Sequence, residues 1–382
     1  MTGLVRDLTD AEAREALVCK WGEVAPDVLP AWVAEMDVAV AEPITEALQR
    51  AVAAGRTGYP RFGAGRELGT AYAEWAGRQF GHEVDPDQVV ATVDVTAGAR
   101  LALDVLAPAG PLVFPVPGYT PQLDLASICG RERVDLVLDP DAERAELDLD
   151  QLEHHFRAGA RTLLLTQPHN PWGRAFTRDE LEAVRDLVLR YDAFVVSDEI
   201  HAPLVLDGRE HVPYLSVEGA ASHAVAVVAA SKAFNVAGLK CAQVVTADRA
   251  LHERLMAAPF ARNDSWSVLG VEASLAAYTH GDAWLDDLRS VLAARRDLLV
   301  SLLAEHLPLA RVRPIEATYL AWVDLRAYGH ADPAAVALER GRVALNAGHD
   351  YHPGLEGHAR INFATSEARL GEIVRRVARA LG

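Results

Sequence analysis

From about residue 89 onward the chain alternates short, mainly apolar β-branched runs with stretches of helical spacing. The runs fall at 89–95, 111–116, 133–138, 162–166, 194–197, 224–230 and 241–246, with helical patterns between several of them at 98–107, 148–158 and 178–191. A strand buried on both faces reads as a continuous apolar run, so this alternation predicts a mainly parallel sheet of seven strands between helices. Upstream, the spacing predicts a short helix at roughly 9–18, an arm ending in Trp32-Val33-Ala34-Glu35-Met36-Asp37, and helices at 43–54 and 65–80. Downstream, 268–306 carries apolar residues every three or four places. Strand-like 319–325, helical 332–340, strand-like 342–345 and 359–363, and a last helix at 366–381 follow. That change predicts a second, smaller α+β domain to which the N-terminal segment returns. The expected division is an arm and part of the small domain at 1–40, a large domain at 41–275 and a small domain at 276–382.

Composition narrows the partners. The 382 residues carry 37 basic and 54 acidic side chains, a net charge of −17, which disfavours nucleic acid and anionic membrane surfaces. Cys19, Cys129 and Cys241 are far apart and form no CxxC pair, so neither a disulfide framework nor a zinc knuckle is indicated, and a reducing cytoplasm is expected. The N-terminus has mixed charge and no apolar core of a signal peptide, and no run of about 18 apolar residues predicts a membrane span.

Ligands of open parallel sheets sit at the carboxyl ends of strands. Here three such ends carry Gln167-Pro168-His169-Asn170-Pro171-Trp172-Gly173, Asp198-Glu199-Ile200-His201 and Ser231-Lys232-Ala233-Phe234-Asn235. An amide, a carboxylate with an imidazole, and an amine therefore converge on one rim. That set suits a pyridine cofactor: a buried acid for the ring nitrogen, an amine for an aldehyde, and hydrogen-bonding groups for a phenolic oxygen.

The segments WVAEMD (32–37), TGYPRF (57–62), PVPGYTPQ (115–122), QPHNPWGR (167–174), VVSDEIHAPLV (195–205), ASKAFNVAGLK (230–240), TYLAWVDLR (318–326) and HARINFAT (358–365) run in order along the chain. Together they resemble the fold-type I pyridoxal 5′-phosphate (PLP) enzymes, and within them the cystathionine β-lyase-like branch of the class I/II aminotransferases. The resemblance covers roughly residues 25–380 and implies an aspartate-aminotransferase-like fold acting as a homodimer. It implies Lys232 as the Schiff-base lysine that also shuttles the Cα proton, and Asp198 as partner of the ring nitrogen. Asn170 and His201 are implied as donors to the phenolate oxygen. Tyr119 is implied as the aromatic over the ring, counted with Lys232 among the catalytic groups. Arg360 resembles the fork that holds the substrate α-carboxylate. Backbone at Val95 and Thr96 is implied for the phosphate. Lys240 and Ser231 are implied there too, with Tyr59 reaching phosphate and substrate from the other subunit. Val33 and Ala34 resemble the backbone edge over the substrate. The chain departs from the family in two places. Ala229 replaces a hydroxyl often aimed at the phosphate, so one phosphate bond is either missing or supplied by Thr96 or Ser231, and Val93-Asp94-Val95-Thr96-Ala97-Gly98 differs from the usual phosphate loop.

Each residue also has a plainer reading. Lys232 and Lys240 read as solvated lysines, Asp198 as a helix cap, His201 as a backbone-satisfied core histidine, Asn170 as a turn residue, Tyr59 and Tyr119 as ordinary surface or packing aromatics, and Arg360 as the partner of a nearby carboxylate. Gly63-Ala64-Gly65 opens like a dinucleotide loop, but Leu68 breaks GxGxxG and no strand precedes it. His349, His352 and His358 lack a helical HExxH frame, so no metal is expected. His352 and Tyr351 are placed near the substrate entrance.

Removal of the Cα proton leaves two outcomes. Proton return to the cofactor gives transamination; loss of a leaving group from Cβ gives β-elimination, ending in pyruvate and ammonia. Classical aminotransferases tend to carry Tyr three positions after the ring-nitrogen acid, where this chain has His201, as the C–S lyase branch does. The expectation is a cysteine-S-conjugate or cystathionine β-lyase, with an aminotransferase of a small amino acid as the alternative and a PLP-binding regulator or non-catalytic scaffold as a third reading.

Overall fold

A computed structural model of the chain describes residues 3–61, 66–139 and 141–382; Gly63-Ala64-Gly65 and the Phe62 end of TGYPRF lie outside them. The central feature is a seven-stranded sheet. Its order is Val89–Thr92, Ala242–Thr246, Ala224–Val228, Phe194–Asp198, Thr162–Thr166, Leu112–Val116 and Arg133–Val137. Ala242–Thr246 runs antiparallel to both neighbours and the other pairings are parallel, as the apolar runs predict. Every residue of the strands 112–116, 162–166, 194–198, 224–228 and 242–246 is buried. Two hydrophobic clusters, one on each face, account for that burial.

The predicted run 89–95 ends early as a strand, because Asp94 accepts from the Ala97 N–H and starts the helix Val95–Val105. Gly98 lets that helix lie against the sheet: a Cβ there would meet Val227 Cγ1 at 2.7 Å and Thr92 Cγ2 at 2.9 Å. The helix start is thereby fixed beside the carboxyl ends of the parallel strands.

A four-stranded antiparallel sheet follows, in the order Asn346–Ala347, His358–Asn362, Leu320–Asp324 and Arg311–Val312. The residues 342–345 do not join it. Val343–Ala344 pairs in parallel with Leu29–Pro30, so the N-terminal segment does return to the C-terminal part of the chain. The stretch 268–306 is two helices, Val268–His280 and Asp282–His306, meeting at Gly281. No helix among the described residues is long and apolar enough to cross a membrane.

The arm 31–37 is tied at several points. Asn362 donates to the carbonyls of Val33 and Glu35 at 2.6 and 2.7 Å, and Asn235 clamps Met36 from both sides, accepting at 2.9 Å and donating at 2.8 Å. Beneath it, Lys20 Nζ lies 2.9 Å from Asp37, both fully buried.

Candidate functional site

Parallel strands put their carboxyl ends on one rim, and the antiparallel 242–246 strand begins there. Residues from five strand ends and from the start of a sixth strand therefore meet at a cavity of about 410 Å³. Lys232, Asp198, His201, Asn170, Arg360 and Tyr119 all line it, as do Val33, Ala34, Val95, Thr96, Ser231 and Lys240. Tyr59 does not. It is fully exposed, on a different face beside Arg56 and Glu272.

Asp198 ends its strand almost fully buried, and among the described residues no cation is bonded to it. Its carboxylate accepts from Gln122 Nε2 at 2.5 Å and from the Ile200 N–H at 3.0 Å. Burial pushes its pKa up to about 6, against the pull of those two donors. Lys232 Nζ donates to the Ala34 carbonyl at 3.0 Å. Burial, with the Arg360 charge next, pushes this amine down to about 8. His201 is buried and its Nδ1 has no hydrogen-bond partner. Burial, then the charges of Lys232 and Arg360, takes its pKa down to about 3, so the ring is neutral at physiological pH.

Arg360 sits in the middle of the His358–Asn362 strand, 4% exposed. Its guanidinium donates to Asn170 Oδ1 at 3.2 Å, and to the Trp32 carbonyl and Asn346 Oδ1 at 2.7 Å each, while Nε is buried without a partner. The Tyr351 ring lies 5.3 Å away. All its acceptors are neutral, and among the described residues no carboxylate pairs with it. The carboxylate-partner reading of Arg360 therefore fails. The bond to Asn170 Oδ1 also turns the Asn170 amide so that its NH₂ is the end left over.

At the other end of the cavity, Asp94 takes the Ala97 N–H at 2.9 Å and Lys240 Nζ at 3.0 Å. The N–H groups of Val95 and Thr96, the first two of the helix, have no acceptor among the described residues. They remain free donors at the positive end of a helix dipole.

A profile of the family "Aminotransferase class I and II" matches residues 33–377. The chain belongs to that family. It is 34% identical to the cystathionine beta-lyase of Corynebacterium glutamicum, over 97% of this chain and 98% of the relative. It is 38% identical to a candidate cystathionine beta-lyase of Mycobacterium tuberculosis, over 95% and 94%. A solved structure from Corynebacterium diphtheriae, described as a candidate PLP-dependent beta-cystathionase, superposes with a TM-score of 0.94 at 34% identity and covers 99% of each chain.

Several residues in or beside the cavity were not singled out from sequence. Gln122 bridges Asp198 and Thr166, donating to the first and accepting from Thr166 Oγ1 at 3.2 Å. Asn346 faces Arg360 in cross-strand register. Tyr319 donates to the same Ala34 carbonyl as Lys232, at 2.9 Å, and packs edge-on to His201. Gln122 lies in PVPGYTPQ (115–122), and its polar side chain one turn after Tyr119 was a usable signal. Tyr319 lies in TYLAWVDLR (318–326), but nothing local marks it as the neighbour of Ala34 and His201, and Asn346 lies in none of the matching segments: nothing local marks which strand residues face a cavity. Tyr351 lines the cavity as expected, but His352 turns away, 3.6 Å from Asp135. No group of three metal-ligating side chains occurs among the described residues.

Proposed function

We propose that the chain is a PLP-dependent carbon–sulfur β-lyase acting on a sulfur-substituted cysteine such as cystathionine. The observation that carries this is one cavity holding a cation-free buried acid, an amine with lowered pKa and a carboxylate-free buried guanidinium. The residues fit the cofactor. Asp198 is an acid in need of a cationic partner, which a protonated ring nitrogen supplies. Lys232, with its pKa near 8, has an appreciable neutral fraction, as attack on an aldehyde requires. His201 and Asn170 offer hydrogen-bonding capacity for the phenolic oxygen, and Tyr119 an aromatic face. The Val95 and Thr96 N–H groups, with Ser231 and Lys240, would hold the phosphate.

When bound, PLP supplies a sink for the electron pair left on the substrate Cα. Asp198 keeps that sink effective by staying ionised beside the ring nitrogen. Arg360 fixes the substrate α-carboxylate through a planar fork, orienting the Cα–H bond. Lys232, as the neutral amine, would take the Cα proton and deliver one to the departing sulfur. The Ala34 carbonyl, 3.0 Å from Nζ, gives that amine a resting partner on the substrate side. His201, neutral throughout, acts as a hydrogen-bond donor rather than a proton carrier.

The division into an arm to about residue 40, a cofactor-holding unit to 275 and a smaller unit beyond belongs to this reading. So does a homodimer, in which the exposed Tyr59 serves the neighbouring site. Cytoplasmic residence fits three free thiols. The test is product analysis. L-cystathionine or an S-alkyl cysteine should give one pyruvate per substrate with no keto acid added. A strict requirement for a keto-acid acceptor would assign the chain to the aminotransferases instead.

A further inference from the structure

The phosphate end of the cavity contains a carboxylate. Asp94 precedes the helix Val95–Val105 and uses both oxygens: Oδ1 accepts from the Ala97 N–H at 2.9 Å and Oδ2 from Lys240 Nζ at 3.0 Å. Asp94, Lys240, Val95 and Thr96 line the same cavity. Lys240 is held there at some backbone cost. It is a non-glycine residue with φ of 55°, in the left-handed region, and its carbonyl is fixed by the Ser267 N–H at 3.0 Å. The one lysine at this end is thus aimed into the site and already carries an anion. Ala229, nearby in the chain, brings no hydroxyl that could offset this.

We infer that Asp94 is an affinity-setting residue of the cofactor site: an internal anion that competes with a phosphate monoester for Lys240 and for the helix start. This rests on the reading of the cavity as a PLP site. The side chains of the pair are 52% and 40% exposed, so the bond is screened and easily exchanged. Exchange frees Lys240 to face a phosphate, but Asp94 stays within the same helix start as a like charge. The chain therefore binds phosphate more weakly than its local donors alone allow.

Asp94→Asn separates charge from capping, because Asn caps a helix as well as Asp does. Asp94→Ser is the second variant, should the first fold poorly. The full-length protein, stripped of cofactor, is titrated with inorganic phosphate and separately with PLP, following tryptophan fluorescence. Both ligands should bind Asp94→Asn roughly three- to tenfold more tightly, the effect of removing one half-exposed charge from beside an anion. The gain should shrink as ionic strength rises, and shrink in a Lys240→Gln background. Equal or weaker phosphate binding by both Asp94 variants overturns the inference, as does a gain that persists undiminished in Lys240→Gln. The phosphate titration decides this by itself. Failure of the wild-type protein to take up PLP at Lys232 would instead sink the reading of the cavity.

Discussion

Gln122 donates to the buried Oδ2 of Asp198 at 2.5 Å and accepts from Thr166 at 3.2 Å, so the orientation of its amide is fixed by both neighbours. The bond stabilises the ionised form of Asp198 and opposes the effect of burial. Gln122→Leu removes that donor and leaves one oxygen of a buried carboxylate unsatisfied. The pKa of Asp198 should rise above about 6. Elimination activity should fall roughly 10- to 100-fold near neutral pH, the size of one lost hydrogen bond to a charged group. The acid limb of the kcat/KM profile should move to higher pH, whereas loss of packing alone would lower activity without moving it.

Asp198 also makes a prediction about stability without cofactor. Its native pKa is raised from 3.8 to about 6, so between those values the folded chain binds more protons than the unfolded one. Stability then falls as pH rises through that window and stays lower above it. Asp198→Asn should make the cofactor-free protein more stable above about pH 6, by on the order of 1–3 kcal/mol, and leave it unchanged below the ordinary carboxylate range. Urea unfolding at several pH values measures this. A variant less stable than wild type at pH 7 contradicts it. PLP should no longer protect the variant as it does the wild type.

The core of this site was legible because chemistry and topology coincide. Asp198, Lys232 and Asn170 follow apolar runs, and strands buried on both faces announce themselves as such runs. The unbroken stretch 162–166 is a strand over its full length. The run 89–95 was misleading because Val95 is apolar on either side of a strand-to-helix change. Asp94 was the signal of that change, as an N-cap. The short strands Arg311–Val312 and Asn346–Ala347 were missed, being two residues each and set by pairing with distant partners rather than by local pattern. Asn346 was invisible for the same reason: its place opposite Arg360 is a fact of register.

The arm over the active site rests on a pair that sequence gave no cause to link, Lys20 and Asp37. Both side chains are fully buried, and Asp37 also accepts from Trp21 Nε1 at 2.8 Å and pairs with Arg369 at 3.2 Å. Lys20 Nζ donates further to the Glu35 carbonyl at 3.0 Å. Lys20→Met keeps the volume and removes the charge. Breaking a buried pair costs about 3–5 kcal/mol, and the low end is expected here because Arg369 and Trp21 remain. The urea midpoint should drop accordingly, and KM should rise as Val33 and Ala34 lose their fixed position. A loss under about 1 kcal/mol would show that Asn235 and Asn362 hold the arm by themselves.

Arg360 separates substrate binding from cofactor binding. Its partners Asn170, Asn346 and the Trp32 carbonyl orient the guanidinium without neutralising it, and Nε is left bare. A buried cation held this way is poised for an anion, and the α-carboxylate is the anion every amino-acid substrate brings. Arg360→Lys keeps the charge but loses the planar fork, so kcat/KM should fall roughly 10- to 100-fold, mainly through KM. Asn346→Asp is the sharper test. It places a carboxylate opposite Arg360 in the existing cross-strand register, 2.7 Å being the present separation of the amide oxygen from the guanidinium. The internal ion pair should compete with substrate and raise KM at least as much as Arg360→Lys does, while PLP affinity stays near the wild-type value. If Asn346→Asp weakens PLP binding and leaves KM alone, Arg360 faces the cofactor rather than the substrate, and the orientation proposed for the whole cavity is reversed.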